Sequence, residues 1–230
     1  MSKISFPPWF GEFGWEVATW APYCRRIAED YDEIIVTSFA DTQPLYADFC
    51  TEFRSHGEKN RSLNYPKHYR IKGKYYRYGN MRRADFKFDV IFHNRGIRRK
   101  SSINYKYFEQ VHKIIKHKWQ TPMNFACVGG AEDNLVGNYA DLRGLPLNEL
   151  MDYIAAARCV VGVSSGLMHL AAFCGTDIVV WGDRRTYFGE TLEKRYKETW
   201  NPFGVRVGWI DADDFQPEPE KIIERIKELI

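Results

Sequence analysis

Between Asp89 and Ile210 short apolar runs alternate with stretches of helical period, and this alternation constrains the fold more than any other feature of the chain. DVIFHNRG (89–96), NFACVGG (124–130), CVVGVSS (159–165), DIVVWGD (177–183) and VRVGWI (205–210) read as strands, several of them apolar over consecutive positions as strands covered on both faces are. YKYFEQVHKIIKHKW (105–119) has a helical period, and LNELMDYIAAA (147–157) places Leu147, Leu150, Met151, Ile154 and Ala155 on one helical face. Strand, helix and strand in repetition predict an α/β fold whose parallel sheet carries helices on both faces.

The first part is less regular. ISF (4–6) and EIIVTSF (33–39) read as strands, with a helix from about Trp15 to Asp30 between them and another near Leu45 to Phe53. Residues 55–88 hold no sustained period and are rich in Lys, Arg and Tyr, which predicts a long loop region. PEPEKIIERIKELI, at the end, starts on prolines suited to a first helical turn and continues as an amphipathic helix. We therefore divide the chain into an N-terminal α/β domain (1–87), a C-terminal Rossmann-like domain (88–216) and a closing helix (217–230).

A formal charge of +3 with 27% charged residues does not by itself announce a nucleic-acid or membrane partner. No apolar run reaches the ~18 residues of a transmembrane helix, and MSKISFPPWF lacks the apolar core of a secretory signal, so a cytoplasmic protein is expected. Cys24, Cys50, Cys127, Cys159 and Cys174 lack metal-ligand spacing and predict free thiols rather than a metal site.

Gly162, Ser164 and Gly166 spell G-x-S-x-G inside VVGVSSGLMHLAAFCGTDIVVWGD (160–183). On a strand-turn-helix these letters mark the nucleophile elbow of a hydrolase, or a cradle in which small residues let an anion reach the free amides of a helix start. α/β-hydrolases supply the triad histidine after the serine, and only His169 follows Ser164, within the helix that the elbow itself opens; His93 or His112 could serve only in an unfamiliar chain order. The cradle asks for small residues and hydroxyl donors, which Ser164, Ser165 and Gly166 supply.

The stretch LRGLPLNELMDYIAAARCVVGVSSGLMHLAAFCGTDIVVWGD (142–183) resembles the donor-binding half of the bacterial ADP-heptose heptosyltransferases and related GT-B glycosyltransferases. That resemblance implies two small Rossmann-like domains whose parallel sheets face a cleft. It implies an enzyme that moves a sugar from a nucleotide donor to a hydroxyl, without metal and with inversion. It places Ser165, Gly166 and His169 at the donor diphosphate with Gly130 nearby, while Ser164 stands where the family usually has Asp. The loop HNRGIRRKSS (93–102) offers Arg95 or Lys100 for the donor phosphates, whose charge grows as the nucleoside diphosphate leaves. No cofactor is implied, the nucleotide sugar being a substrate.

In GEFGWEVATWAP (11–22) the same resemblance implies a carboxylate at a helix start that deprotonates the acceptor hydroxyl; Glu16 fits with one extra residue, and Glu12 competes with it. Trp15, on this glycine-rich loop, offers a platform for a sugar face. KHYRIKGKYYRYGNMRR (67–83) has seven Lys or Arg and no carboxylate. With Arg70, Lys72, Lys74 and Arg77 it suits a phosphorylated glycan, a lipid-linked acceptor or, less favoured, single-stranded nucleic acid. Asp211-Ala-Asp213 resembles a manganese-holding D-x-D, yet its place after the last strand favours a turn. Three further classes stay open: a non-catalytic glycan or nucleic-acid binding module, a serine hydrolase using Ser164, and a nucleotide-sugar epimerase.

Overall fold

The computed structural model describes residues 1–58, 60–62, 85–95, 105–119, 122–187 and 189–230. The N-terminal half holds a three-stranded parallel sheet in the order β1 (Lys3–Ser5), β2 (Glu33–Ser38), β3 (Glu52–Ser55). One continuous helical segment joins β1 to β2. It begins as α1 (Phe13–Trp15), widens through a π-helical turn (Glu16–Trp20) and continues as α2 (Ala21–Ala28). The helix expected near Leu45 to Phe53 is absent: a 3-10 turn (Ala40–Leu45) containing Pro44 occupies its start, and the chain then extends into β3. The reason is visible in β3, a sheet-edge strand whose residues are half-buried or exposed, so the sheet demands no apolar run from it.

The C-terminal half is a six-stranded parallel sheet built from β4 (Phe88–His93), β5 (Phe125–Gly129), β6 (Ala140–Arg143), β7 (Ala157–Val163), β8 (Asp177–Gly182) and β11 (Val207–Asp211), in the order β11-β8-β7-β4-β5-β6. Between β8 and β11 lie the short antiparallel pair β9 (Thr186–Tyr187) and β10 (Glu190–Thr191), then α6 (Leu192–Lys194) and a second π-helical turn (Arg195–Thr199). Alternate strand residues serve opposite faces. Val90, Phe92, Val161, Val163, Val179 and Trp181 pack under α3 (Phe108–Lys118) and α7 (Pro219–Leu229). Ile91, Val160, Ile178 and Val180 pack with α4 (Leu147–Ala155), α5 (Gly166–Phe173) and the N-terminal half. Each large apolar side chain so covered stabilises by about 1.5–3 kcal/mol relative to exposure.

One apolar cluster therefore runs through both halves, from Phe6, Trp9 and Trp20 to Met168 and Phe173. Buried Arg25 of α2 spans the same junction: it pairs with Asp48 and lies 5.2 Å from the ring centroid of Phe173 in α5. A close backbone approach couples the starts of α1 and α5. A Cβ added at Gly166 would stand 3.2 Å from the Cα of Gly14, so only glycine fits here without displacing the other half.

Candidate active site

In a doubly wound sheet, ligands bind beyond the carboxyl ends of the strands where the strand order reverses. Here the chain runs from β4 outward to β5 and β6, then returns to the other side of β4 with β7, so the reversal lies between β4 and β7. Their carboxyl ends carry His93 and the Ser164-Ser165-Gly166 turn, in register through the His93–Gly162 pair. A cavity of about 720 Å³ opens at this point. Glu12, Gly14, Trp15 and Arg61 line it from the N-terminal half. His93, Arg95, Gly130, Asp133, the Ser164–Gly166 turn, His169 and Trp200 line it from the C-terminal half.

Ser165 takes the N-cap position of α5 with an extended backbone, and its side chain does not cap the helix. Its hydroxyl lies instead 3.2 Å from Nδ1 of His93. The other ring nitrogen of His93 is 3.5 Å from the Asp133 carboxylate, which also accepts the Gly130 N–H at 2.8 Å. Gly129 permits this return of Asp133: at φ +143° a Cβ there would meet the carboxylate at 2.2 Å. The Ser164 hydroxyl is 3.0 Å from the Tyr196 hydroxyl, which is 3.4 Å from Nε2 of His169. Burial pushes the Tyr196 phenol well above its ordinary range and lowers His169 to about 3, so both are neutral near pH 7. His169 stacks on the Tyr196 ring at 4.7 Å, with Trp200 edge-on at 4.8 Å. Nδ1 of His169 has no hydrogen-bond partner among the described residues.

The two carboxylates offered as bases are separated by the structure. The helix begins at Phe13 rather than near Trp15, so Glu16 stands a turn inside it, on the face packed against β2 and the 3-10 turn. It is fully buried, and four donors hold it: the hydroxyls of Ser38, Thr42 and Tyr46 at 2.5, 2.8 and 2.8 Å, and Arg61 at 2.8 Å. Burial and the Glu16 charge raise the Tyr46 phenol well above its ordinary range, which keeps it a donor. Glu16 does not line the cavity, against the expectation that it faces the cleft. Glu12 does line it, at the residue where extended backbone turns into helix (φ −64°, ψ 148°).

Of the remaining expected donor and acceptor residues, Arg95, Gly130, Ser164, Ser165, Gly166, His169 and Trp15 line the same cavity. Lys100, Arg70, Lys72, Lys74 and Arg77 lie outside the described residues. The sequence did not point to Arg61, Asp133 or Trp200 as lining residues, nor to the contact of His93 with Ser165. His93 ends a strand that was legible, so its position at the carboxyl end of the sheet was available; the return of Asp133 over Gly129 was not. Arg61 arrives with a strap, Ser62 pairing with Gly11, and its guanidinium lies 4.0 Å from the Phe39 ring centroid. Asp211 accepts the Trp209 indole N–H at 2.8 Å and Asp213 faces Arg184 at 3.6 Å. No cluster of three metal-ligating side chains occurs among the described residues. A second cavity, of about 730 Å³, lies between α3 and residues 137–139, and none of the expected site residues lines it.

Residues 130–222 match the model of the family described as glycosyltransferase family 9 (heptosyltransferase). No curated protein matches the chain. Among solved structures, ADP-heptose LPS heptosyltransferase II of E. coli is 13% identical, with 100% of this chain and 98% of that one covered at a TM-score of 0.59. A family 9 glycosyl transferase from Veillonella parvula is 9% identical, with 99% and 97% covered at 0.67. The dodecameric iron-containing heptosyltransferase TibC, in complex with ADP-D-β-D-heptose, is 16% identical, with 90% and 61% covered at 0.53. The chain thus has the GT-B fold of these structures, and its residues 130–222 match the family 9 glycosyltransferase model.

Proposed function

We propose that the protein transfers a sugar from a nucleotide-sugar donor to a hydroxyl of an anionic glycan or lipid-linked acceptor, by direct displacement with inversion and without metal. The observation that carries this reading is the junction cavity. It brings the start of α5 and Arg95 from one half into the same space as a carboxylate, Glu12, from the other. The helix start and Arg95 suit the donor diphosphate, whose leaving charge fixed dipoles and cations stabilise. Neutral His169 lines the cavity without adding charge to it. Glu12 is assigned as the base and Trp15 as a sugar platform. Direct displacement needs the base and the leaving group on opposite sides of the reacting carbon; Glu12 comes from the N-terminal half, and the helix start and Arg95 come from the C-terminal half.

The hydrolase alternative is weakened by the partner of Ser164: the Tyr196 phenol, held protonated by burial, is no general base. None of the five cysteines is in a disulfide, which fits a reducing setting. Among the described residues no helix is long and apolar enough to cross a membrane.

A thermal-shift panel of nucleoside diphosphates and nucleotide sugars tests the reading, beginning with ADP-linked sugars because TibC holds one. Ligand at ~100 times Kd stabilises by about 2.7 kcal/mol, a rise of roughly 5–10 °C for a chain of this size. No shift with any nucleotide sugar would remove the donor reading.

A further inference from the structure

Ser165, His93 and Asp133 stand at the carboxyl ends of three adjacent strands, β7, β4 and β5, and all three line the cavity. The order of contacts is Ser165 hydroxyl to His93 Nδ1 at 3.2 Å, then His93 Nε2 to Asp133 at 3.5 Å. An ionised Asp133 favours the neutral tautomer with its proton on Nε2, leaving Nδ1 as an acceptor. The Ser165 hydroxyl then donates inward to Nδ1 and turns only lone pairs toward the cavity. Those lone pairs oppose an anion. If His93 takes a second proton, Nδ1 donates to Ser165 instead, and the hydroxyl proton is released to point at an anionic ligand.

We infer that His93 is a positioning residue that takes up a proton when the donor diphosphate binds, turning the Ser165 hydroxyl from an acceptor into a donor aimed at it. The proton comes from solvent, no covalent bond is made, and one charge is added at the site. This inference rests on the donor reading above. Among the described residues, the charged and titratable groups that share the cavity with the ring come from several elements. Asp133 comes from the loop after β5, with Glu132 beside it over Gly130, and Arg95 from the loop of His93 itself. His169 comes from α5, and Glu12 and Arg61 from the N-terminal half. His169, lowered to about 3, does not take up the proton near neutrality.

The sign follows from linkage. A ligand that prefers protonated His93 binds more tightly at low pH, and its Kd rises by up to about tenfold per pH unit once His93 is neutral in the free protein. Nucleotide sugars are the appropriate probes, because their diphosphate diesters carry no proton that titrates near neutral. Calorimetry of ADP-glucose, GDP-mannose and UDP-glucose is run near pH 7 in two buffers of different ionisation enthalpy, with Kd followed from about pH 6 to about pH 8. The expected result is uptake of a substantial fraction of a proton for whichever donor binds, with Kd weakening as pH rises. His93→Asn, whose amide can hold Ser165 without titrating, should keep binding yet lose both the uptake and the pH dependence. Ser165→Ala, which leaves the ring in place, should reduce the uptake by at least half and serves where His93→Asn does not fold. Binding with no proton uptake, or uptake unchanged in either variant, overturns this inference and leaves the donor reading standing. Binding of no nucleotide sugar, in this series or in the thermal-shift panel, overturns both.

Discussion

Replacing Glu16 with Gln separates a base from a structural anchor, because the structure gives the two roles opposite signatures. The carboxylate is fully buried and holds three hydroxyls on one oxygen and Arg61 on the other. A carboxamide can keep its carbonyl under the three hydroxyls, but its NH₂ then faces the Arg61 guanidinium, donor against donor. One charge-assisted hydrogen bond, of about 1.5–3 kcal/mol, is lost, and the three that remain are weakened by the loss of charge. Arg61 retains 21% exposure, so water recovers part of the cost. A net loss of about 2–4 kcal/mol is expected, with a Tm fall of roughly 5–15 °C. Glu12→Gln, at a half-buried position, should stay within about 0.5 kcal/mol of wild type. Urea denaturation reads the stabilities, and single-turnover transfer at saturating donor reads the chemistry. A Glu16→Gln protein with an unchanged midpoint and no transfer, beside an active Glu12→Gln protein, would refute the reasoning and restore Glu16 as the base.

Glu12→Gln should lower transfer by about 10²–10⁴-fold with donor Kd unchanged, as a group acting mainly in the transition state requires; retained kcat moves the base elsewhere. Gly166→Val should lower stability by about 1–3 kcal/mol and weaken nucleotide binding together, because its side chain meets Gly14 and Phe13 at 3.2 Å before any ligand arrives; unchanged urea midpoints would contradict that abutment. His169 is lowered in the folded state, so its contribution to stability is full above about pH 6.5 and is lost as pH falls toward 3, by at most about 1.4 kcal/mol per unit. His169→Gln should flatten this acid loss in urea midpoints compared at neutral and acidic pH. Transfer should survive excess EDTA, and its loss with recovery on adding a divalent cation would end the metal-free reading.

The sheet was legible where burial on both faces leaves no choice of residue. The runs that became β4, β5, β7 and β8 are apolar because helices cover both sides of them. β3 and β6 escaped notice for the opposite reason: each is an edge strand with a sequence, EFRS or ADLR, that a loop could equally carry. The donor turn was readable from Ser164 to His169 because strand, small residues and helix follow one another locally. Glu16 misled because a helix start placed two residues late turns an interior position into a first-turn one. The junction of Gly14 with Gly166, and the partnership of Ser165 with His93 and Asp133, join residues distant in the chain. No local pattern encodes such pairings.

The central claim is that the junction cavity catalyses sugar transfer from a nucleotide donor. Release of nucleoside diphosphate from labelled nucleotide sugars, followed with and without a phosphorylated or lipid-linked glycan acceptor in the presence of EDTA, tests it most directly. Acceptor-dependent release from at least one donor is expected, abolished by Glu12→Gln while that donor still binds. A folded protein that binds a nucleotide sugar yet releases no nucleoside diphosphate with any such acceptor would contradict it.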